Sequence, residues 1–305
     1  MSNRLATATV SKILPFSCVD GPGNRLVIFL QGCNFDCKNC HNPHTIGLCD
    51  HCGDCIEHCP SNALSMVTDA KGKDQIRWNN DACTHCDTCL AVCPRQSSPK
   101  TRQYTVDDML AVIRKNCLFI SGITVTGGEA TLQLNFIIEL FQAIKSNSDL
   151  QHLSCMIDSN GSLSETGWKK VIPYIDGAMI DLKAWQEDTH RWITGRDNHR
   201  VFESIHLLSH HNKLHELRLL VIPTITDFET EIAALADYLV MLPDENTRIR
   251  LNAFQHHGVS GEALSWPTCS KEEITAFAEQ LTQLSVRNVV LPAVILESQA
   301  DNENH

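Results

Sequence analysis

"LVIFLQGCNFDCKNC", residues 26–40, joins an apolar run to three cysteines, Cys33, Cys37 and Cys40. The apolar run predicts a buried strand, and the cysteines lie in the loop that follows it. Thiolates are the ligands of iron–sulfur clusters, and a 4Fe–4S cubane has four irons to hold. Three cysteines leave one iron without a protein ligand, and an open metal position can bind a substrate, as it does in catalytic zinc sites. The stretch therefore predicts a catalytic 4Fe–4S cluster.

The composition narrows the class of protein. The chain has 305 residues, 15 of them cysteines, and a formal net charge of −11. Its length allows one large domain or two ordinary ones. The acidic balance argues against a nucleic-acid partner held by a basic face. The cysteine count is therefore the compositional feature that requires an explanation.

The expected cellular compartment is inferred from two sequence signals that we do not find. The N-terminal residues lack the apolar segment of a signal peptide, and no run approaches the length of a membrane span. We therefore expect a cytoplasmic protein without a membrane partner. In a reducing compartment, clustered cysteines bind metals far more often than they form disulfides.

Residues 47–100 contain an internal repeat of cysteine runs. Cys49, Cys52, Cys55 and Cys59 precede Pro60, and Cys83, Cys86, Cys89 and Cys93 precede Pro94 with the same spacing. The spacing matches bacterial ferredoxins, in which the fourth cysteine of each run ligates the other cluster. The predicted ligand sets are Cys49, Cys52, Cys55 and Cys93 for one 4Fe–4S cluster, and Cys83, Cys86, Cys89 and Cys59 for the other. Two zinc sites are the alternative. Because the segment has little apolar content, we expect its metals to substitute for a core.

The remainder of the chain alternates between strand and helix patterns. Strands are predicted at 9–15, 26–31, 123–126, 153–159, 178–182, 217–222, 248–254 and 289–291, and helices at 106–115, 132–145, 165–174, 200–211, 229–241 and 271–284. Such alternation predicts an α/β fold with a parallel sheet and, from about six βα units, a partial (β/α)6 barrel. The expected domains are a barrel of residues 1–46 and 101–296, a ferredoxin-like insert at 47–100, and a polar tail at 297–305.

Polar and glycine-rich motifs recur where the predicted strands end. In βα barrels the functional groups lie at the C-terminal ends of the strands. Gly127, Gly128 and Glu129 follow one strand; the other rim residues are Asp158, Asp181, Lys183, Arg218 and Asn252. Glycines let backbone approach a ligand, and carboxylates or cations hold charged groups. Each motif also has a purely structural alternative. The Gly-Gly-Glu motif could be a tight turn with a solvated glutamate, and the two aspartates could be capping or turn residues. Lys183 and Arg218 could form ion pairs inside the barrel.

Four cysteines and several histidines lie outside these motifs. Cys18, Cys117, Cys155 and Cys269 are isolated, and we interpret them as small buried apolar residues. His41 lies close in sequence to the three-cysteine loop and is a candidate contact of its cluster. His256 and His257 have no cysteine or carboxylate at ligand spacing, so we interpret them as rim or surface residues.

The three-cysteine loop together with Gly127-Gly128-Glu129 resembles the radical S-adenosylmethionine (radical SAM) superfamily. Further segments are similar to the activating enzymes of glycyl-radical enzymes, some of which carry a two-cluster insert. These segments are residues 19–23, 29–34, 158–161, 179–183, 220–223 and 250–254. The resemblance covers nearly the whole chain.

The resemblance implies a radical-SAM type of partial barrel and a set of roles. Cys33, Cys37 and Cys40 would hold the cluster that chelates S-adenosylmethionine, and residues 127–129 would meet its amino group. Lys183 and Arg218 are candidates for its carboxylate, whereas Asp158, Ser159, Met179 and Asp181 match a monovalent-cation site. Residues 19–23 are expected near the glycyl loop of the partner. Gln255, with His256 and His257 beside it, stands where some relatives have a cofactor-contacting histidine.

The implied reaction is reductive cleavage of S-adenosylmethionine to methionine and a 5′-deoxyadenosyl radical, which takes a hydrogen atom from a glycine of the partner. The implied partners are a glycyl-radical enzyme and a flavodoxin or ferredoxin-type electron donor. The insert either relays electrons or stabilises the fold. Two other hypotheses are a radical enzyme that acts on a small molecule and a simple iron–sulfur electron carrier. A pure carrier needs no open iron, which counts against the last hypothesis.

Overall fold

The computed structural model describes residues 6–292. Its strands are β1 Thr7–Ser17, β2 Arg25–Leu30, β3 Leu64–Thr68, β4 Asp74–Trp78, β5 Arg102–Thr105, β6 Gly122–Gly127, β7 Ser154–Ser159, β8 Gly177–Leu182, β9 Leu214–Val221, β10 Arg248–Ala253 and β11 Val289–Val290. The predicted polar tail, residues 297–305, lies outside the described residues.

The helices alternate with these strands over most of the chain. They are α1 Thr88–Ala91, α2 Val106–Asn116, α3 Leu134–Ser146, α4 Glu165–Val171, α5 Glu187–Thr194, α6 His199–His210, α7 Ile232–Val240 and α8 Lys271–Gln283. None of the helices within residues 6–292 is long and apolar enough to cross a membrane. Every strand and helix predicted from the sequence has a counterpart here.

The chain divides into two compact units, of which the first contains residues 6–34 and 42–155. Its sheet has the order β6-β2-β1-β5, with β2 and β6 parallel and β1 antiparallel to both β2 and β5. Strand β2 is the centre of this sheet, and the side chains of Leu26, Val27, Ile28 and Leu30 are fully buried. Strand β2 is thus the buried strand that its apolar run predicts.

The insert has more structure of its own than predicted. Strands β3 and β4 form an antiparallel hairpin in which Leu64 pairs with Trp78. A small apolar cluster of Leu64, Cys55 and Cys89 has Ile56, Ile76, Trp78, Leu90 and Val92 packed against it. This cluster does not test the expectation that metals substitute for a core, because two of its three buried members, Cys55 and Cys89, are themselves predicted ligands, and the expectation stays a prediction.

The second unit contains residues 35–41 and 156–292. Its strands lie in the order β11-β10-β9-β8-β7, and the pairs within the unit are parallel. The register places Asp158 opposite Met179, and Asp181 opposite Arg218. Three of the predicted rim residues therefore lie on neighbouring strands of one sheet.

The predictions differ from the structure in one element that matters for function. Helix α5 was not predicted because only His190, Ile193 and Thr194 of its eight residues are buried, and the remainder is polar apart from the exposed Trp192. The predicted α/β class with parallel strands is confirmed within each unit. The domain boundaries at 46/47 and 100/101 stay a prediction.

Candidate functional site

The C-terminal end of α5 holds the three-cysteine loop within the second unit. The backbone N–H of Asp36 donates to the carbonyl of Thr194, and that of Lys38 to the carbonyl of Ile193, both at 2.9 Å. The ring of Phe35 meets His190 edge-to-face at 5.6 Å between centroids. Because carbonyls at a helix end lack partners within the helix, the loop satisfies them and is fixed in return.

A side chain of the loop adds a second attachment. Lys38 Nζ lies 2.8 Å from the carboxylate of Glu262 and 4.3 Å from the ring centroid of Trp192. Trp192 in turn stacks on Trp266 at 5.3 Å. The position of residues 35–41 is therefore set by α5 and by this cation–π contact, neither of which the cysteine motif indicates.

In the first unit, Cys33 is held by the chain that follows the loop. Its N–H donates to the carbonyl of Ile46, and the N–H of Gly32 donates to the carbonyl of Thr45, both at 2.9 Å. The side-chain amide of Gln31 donates to the carbonyls of His44 and Gly47 at 2.8 and 2.7 Å. The backbone on both sides of the loop thus forms one hydrogen-bonded turn at the end of β2.

The Gly-Gly-Glu motif packs against the same end of β2. Gly127 has a φ of 136°, and a Cβ there would lie 2.0 Å from the Leu30 carbonyl oxygen. The N–H of Gly128 donates to Leu30 at 3.0 Å, and the N–H of Glu129 donates to Gly32 at 2.8 Å. Both glycines are required because the two chains are too close for a side chain.

Glu129 is 1% exposed, so the alternative of a solvated glutamate is wrong. Its Oε1 accepts hydrogen bonds from the backbone N–H and the hydroxyl of Thr131, at 2.9 and 2.6 Å. The residue caps the short 3-10 helix Ala130–Gln133. One of the two carboxylate oxygens of Glu129 is therefore used in hydrogen bonds within the turn.

An ionic network crosses three strands of the second unit. Arg218 donates to Asp158 at 3.0 Å, to Glu216 at 2.8 Å, and to Sδ of Met179 at 3.0 Å. Arg250 Nε lies 2.9 Å from the other oxygen of Glu216. Burial alone would raise the pKa of Glu216, but Arg218 and Arg250 lower it below its usual range. The positive charges of Arg218 and Arg250 are therefore balanced by the carboxylates of Asp158 and Glu216.

Asp181 and Lys183 form a second pair, with Nζ 2.9 Å from Oδ2. Burial alone would lower the pKa of Lys183, but the carboxylate of Asp181 and the thiols of Cys37 and Cys40 raise it. The interaction with both thiols places this cation beside the second half of the three-cysteine loop. A cation at this position can bind an anionic group of a ligand held at the loop.

The residues after β10 make local contacts. His41 Nδ1 bonds the His257 carbonyl at 2.8 Å, and His256 Nε2 bonds the Trp266 carbonyl at 2.8 Å. The side-chain amide of Gln255 donates to the Cys269 carbonyl at 3.0 Å. Burial lowers the pKa of His41. These contacts hold the segment after β10 together, and Asn252 lies opposite Leu220 in the sheet.

The insert brings its cysteines into two groups. A small cavity is lined by Cys59, Cys83, Cys86 and Cys89, together with Trp78 and Lys100. In the other group, Cys49 interacts electrostatically with Cys93 and Cys52, and Cys55 with Cys49 and Cys52. Burial and the neighbouring thiols of Cys89 and Cys49 raise the pKa of Cys55 to about 11. Cys59 thus lines the same cavity as the run at 83–89, and Cys93 is an electrostatic neighbour of Cys49; the ligand sets themselves stay a prediction.

The isolated cysteines divide into two kinds. Cys155 and Cys269 are buried, as predicted, whereas Cys18 is exposed and Cys117 is half-buried. Cys18 directly follows β1 and Cys117 directly follows α2, and the prediction of burial is wrong for both. All four stay outside the two cysteine groups of the insert.

Residues 19–23 lie before β2, at the end of that strand opposite to Cys33. Six residues of strand span about 20 Å. The loop is fixed by Arg25, which is fully buried and donates to the Pro22 carbonyl at 3.0 Å and to the Ser154 hydroxyl at 2.9 Å. Sequence reasoning missed Arg25, although a charged residue at the start of a buried strand is itself a signal.

Sequence comparisons identify one family of relatives. A family model described as "Radical SAM superfamily" matches residues 27–236. The isethionate sulfite-lyase activating enzyme of Desulfovibrio desulfuricans is 26% identical over 278 residues, which cover 83% of this chain and 86% of that protein. The 4-hydroxyphenylacetate decarboxylase activating enzyme of Clostridioides difficile is 28% identical over 288 residues, 89% and 88% of the two chains.

Among solved structures, Streptococcus suis SuiB bound to the precursor peptide SuiA has a similar fold. The TM-score is 0.52 at 12% identity, and the match covers 87% of this chain and 48% of that one. This similarity concerns the fold alone.

Proposed function

Because the chain belongs to the radical SAM superfamily, whose α/β fold has a partial-barrel-like parallel sheet, we propose that it is the activating enzyme of a glycyl-radical enzyme. The relatives that align with more than four fifths of the chain are named as activating enzymes of partner enzymes. Within the chain, the observation that carries the proposal is the interaction of Lys183 with the thiols of Cys37 and Cys40. It supports a site at the three-cysteine loop for a cofactor that carries an anionic group, such as a carboxylate.

The superfamily implies a 4Fe–4S cluster and S-adenosylmethionine. In our proposal Cys33, Cys37 and Cys40 hold the cluster. When bound, the cluster and S-adenosylmethionine supply a reductive cleavage that yields methionine and a 5′-deoxyadenosyl radical, which takes a hydrogen atom from a glycine of the partner. The glycines 127 and 128 are proposed to bring backbone groups and Glu129 to the amino group of S-adenosylmethionine.

The charged residues have binding and positioning roles in this proposal. Lys183 and Arg218 would bind the carboxylate of the cofactor, and their acidic partners Asp181 and Asp158 keep both cations compensated before it binds. Asp158 and Asp181 would then be available to a monovalent cation, with Ser159 and Met179 beside them. Potassium- or sodium-dependent affinity for S-adenosylmethionine would support that cation site.

The insert is proposed to hold two further 4Fe–4S clusters, which makes three in the chain. The observed groups support the ligand sets Cys49, Cys52, Cys55 and Cys93, and Cys59, Cys83, Cys86 and Cys89. The cavity of the second set fits a cluster, because the buried Nε1–H of Trp78 on its wall has no acceptor within residues 6–292. The corresponding domains are a barrel of residues 1–46 and 101–296 and an insert of residues 47–100.

The proposed partners are a glycyl-radical enzyme, which is the protein substrate, and a flavodoxin or ferredoxin-type electron donor. A protein substrate requires its glycine loop to reach the cofactor, whereas a small-molecule enzyme usually closes over its substrate. The names of the relatives favour the protein substrate.

Anaerobic reconstitution tests the proposal in two stages. Three cubanes predict about 12 iron atoms per chain. The reconstituted protein is then mixed with dithionite, S-adenosylmethionine and candidate glycyl-radical enzymes, and the glycyl radical is followed by electron paramagnetic resonance. We expect the radical with one partner, and its loss in the Cys37→Ala variant, whereas Cys117→Ala, which removes an isolated thiol, should retain it.

Three results would count against this assignment. Cleavage of S-adenosylmethionine by Cys37→Ala would overturn the site. Turnover of a small molecule with no radical on any partner would favour an enzyme with a small-molecule substrate. An iron content that matches only the three-cysteine loop would overturn the two clusters of the insert while leaving the activity proposal intact.

A further inference from the structure

We propose that a basic cleft in the first unit is the docking site of an acidic one-electron donor protein. This inference rests on the proposed function, because reductive cleavage of S-adenosylmethionine consumes an electron that the chain must receive. It goes further by assigning the entry point: the donor binds beside the Cys59, Cys83, Cys86 and Cys89 group.

The cleft is an open volume of about 1500 Å³ between β1, β5 and the insert. Its cationic walls are Lys12, Lys100 and Arg102, and its aromatic walls are Phe29, Trp78 and Tyr104. The Arg102 guanidinium lies over the ring of Trp78, 5.2 Å from its centroid. Lys12 and Arg102 are both exposed, so their charges are available to a partner.

The charge of the cleft contrasts with that of the chain. The protein has a net charge of −11, yet Asp87 is the sole acidic residue among those lining the cleft, and it pairs with Lys100. An acidic protein is therefore repelled by most of the surface and attracted here. Such complementarity raises association rates and selects the orientation of encounter more than it raises affinity.

The cleft adjoins the second cysteine group. Trp78, Asp87 and Lys100 line both the cleft and the cavity formed by Cys59, Cys83, Cys86 and Cys89. Cys86 is exposed, so this group reaches the protein surface. A donor in the cleft is thus separated from the ligands of the proposed cluster by single side chains.

The first unit also contains a path for the electron from the second cysteine group toward Cys33. Cys89 of the second group interacts with Cys55 of the first group, and both are buried in the apolar cluster of the insert. Cys49 of the first group follows three residues after Ile46, whose carbonyl accepts the N–H of Cys33. Within the first unit, the cleft therefore adjoins the second group, the second group shares a buried apolar cluster with the first, and Cys49 of the first group lies three residues from the turn that holds Cys33.

The transfer itself is a one-electron step. The donor is oxidised by one electron and the cluster on Cys59, Cys83, Cys86 and Cys89 is reduced by one; no bond forms or breaks and no proton is required. Lys12 and Arg102 act only by holding the donor, so a small chemical reductant does not need them.

The test compares two doubly charge-reversed proteins. Lys12→Glu/Arg102→Glu alters the cleft, and Lys71→Glu/Lys73→Glu makes the same change of charge on the exposed turn between β3 and β4. Both reconstituted proteins are mixed by stopped flow with a reduced acidic flavodoxin, at about 20 and about 200 mM salt, and cluster bleaching is followed. We expect about tenfold slower reduction of the cleft variant at low salt, a weaker salt dependence, and a control within about twofold of the wild type.

Dithionite separates this inference from the proposed function. Reduction by dithionite and the cleavage of S-adenosylmethionine that follows should be equal in all three proteins. If the cleft variant accepts electrons from flavodoxin as fast as the control does, or if both variants slow equally, the docking site is wrong. If the wild type reduced by dithionite fails to cleave S-adenosylmethionine, the proposed function is wrong whatever the flavodoxin kinetics show.

Discussion

Arg218 on β9 donates to Asp158 on β7 at 3.0 Å, although the sheet register places Arg218 opposite Asp181 on the strand between them. The register partner Asp181 is bonded to Lys183 instead, at 2.9 Å. Each of the two cations proposed for the cofactor thus has its own carboxylate. In the second unit, these charged side chains are therefore all paired with a side chain of opposite charge.

This relationship predicts the effect of removing Arg218. Arg218→Met leaves Asp158 and the 2%-exposed Glu216 without their common partner. Breaking such a pair from one side costs about 3–5 kcal/mol, and we expect a loss toward the lower end because Arg250 still contacts Glu216. Anaerobic urea unfolding measures the change, with exposed Arg200→Met as the control.

The same variant tests the binding role of Arg218. If Arg218 binds the cofactor, Arg218→Lys should recover part of the stability but bind S-adenosylmethionine at least about tenfold more weakly, because an ammonium lacks the fork geometry of guanidinium. Titration calorimetry gives the dissociation constant. Unchanged affinity in Arg218→Lys and Arg218→Met would exclude a binding role.

Gly128 provides a steric test of the turn after β6. A Cβ at Gly128 would lie 2.4 Å from the carbonyl oxygen of Gly32 and 2.6 Å from that of Thr45. Because both neighbours are backbone, the turn must shift, and we expect Gly128→Ala to lose about 1–3 kcal/mol of unfolding free energy. Binding of S-adenosylmethionine should weaken as well.

Gly72→Ala is the matched control for Gly128→Ala. Gly72 has a positive φ but no atom within 4 Å of an added Cβ, so it tests backbone strain without steric displacement. It lies in the turn between β3 and β4, and we expect it to retain wild-type affinity for S-adenosylmethionine. Equal loss of affinity in both variants would contradict the role assigned to residues 127–129.

The Cys86→Ala variant distinguishes the two roles proposed for the insert, electron relay and stabilisation of the fold. Leu64 and Trp78 pack in the apolar cluster of the insert, so we expect the variant to stay folded. Iron content should fall by about four atoms per chain if the whole cluster is lost. Activation driven by flavodoxin should fall, while activation driven by dithionite persists. Circular dichroism and size-exclusion chromatography check the fold, and wholesale unfolding would support the stabilising role.

His190 predicts a pH dependence of stability. It is fully buried in α5 with Nδ1 bonded to the Arg196 carbonyl at 2.8 Å, and burial lowers its pKa below the usual value of 6.5. Its contribution to stability is therefore complete above pH 6.5 and is lost as the pH falls toward the lowered pKa, because the unfolded chain binds a proton that the folded chain does not.

Urea unfolding between pH 7.5 and about 5.5 measures this contribution, with a slope of at most about 1.4 kcal/mol per pH unit for one proton. In His190→Leu the slope should decrease by part of that amount. His199→Leu is the control, because this side chain is exposed. An equal slope in His190→Leu and the wild type would mean that other groups dominate the pH dependence.

The extent of sequence-based prediction differs between the elements of the site. The strands β2, β6 and β7–β10 follow from their apolar runs, and the rim residues follow from where those runs end. Helix α5, which holds residues 35–41, has too few apolar residues to show helical periodicity. Arg25 and the Glu216–Arg250 pair were missed because their partners come from other strands.

What the sequence determined by itself is the cysteine spacing that predicts iron–sulfur clusters and the alternation of strands and helices. Ligand spacing and apolar periodicity are local properties, so the three-cysteine loop, the repeated cysteine runs and the parallel α/β class could be recognised without coordinates. Only the tertiary structure decided which residues meet: Arg218 with Asp158, Lys183 with Cys37 and Cys40, Cys59 with the run at 83–89, and Lys12 with Arg102 beside Trp78. These contacts depend on strand order and register, which bring together side chains that are up to 146 residues apart and carry no shared local signal.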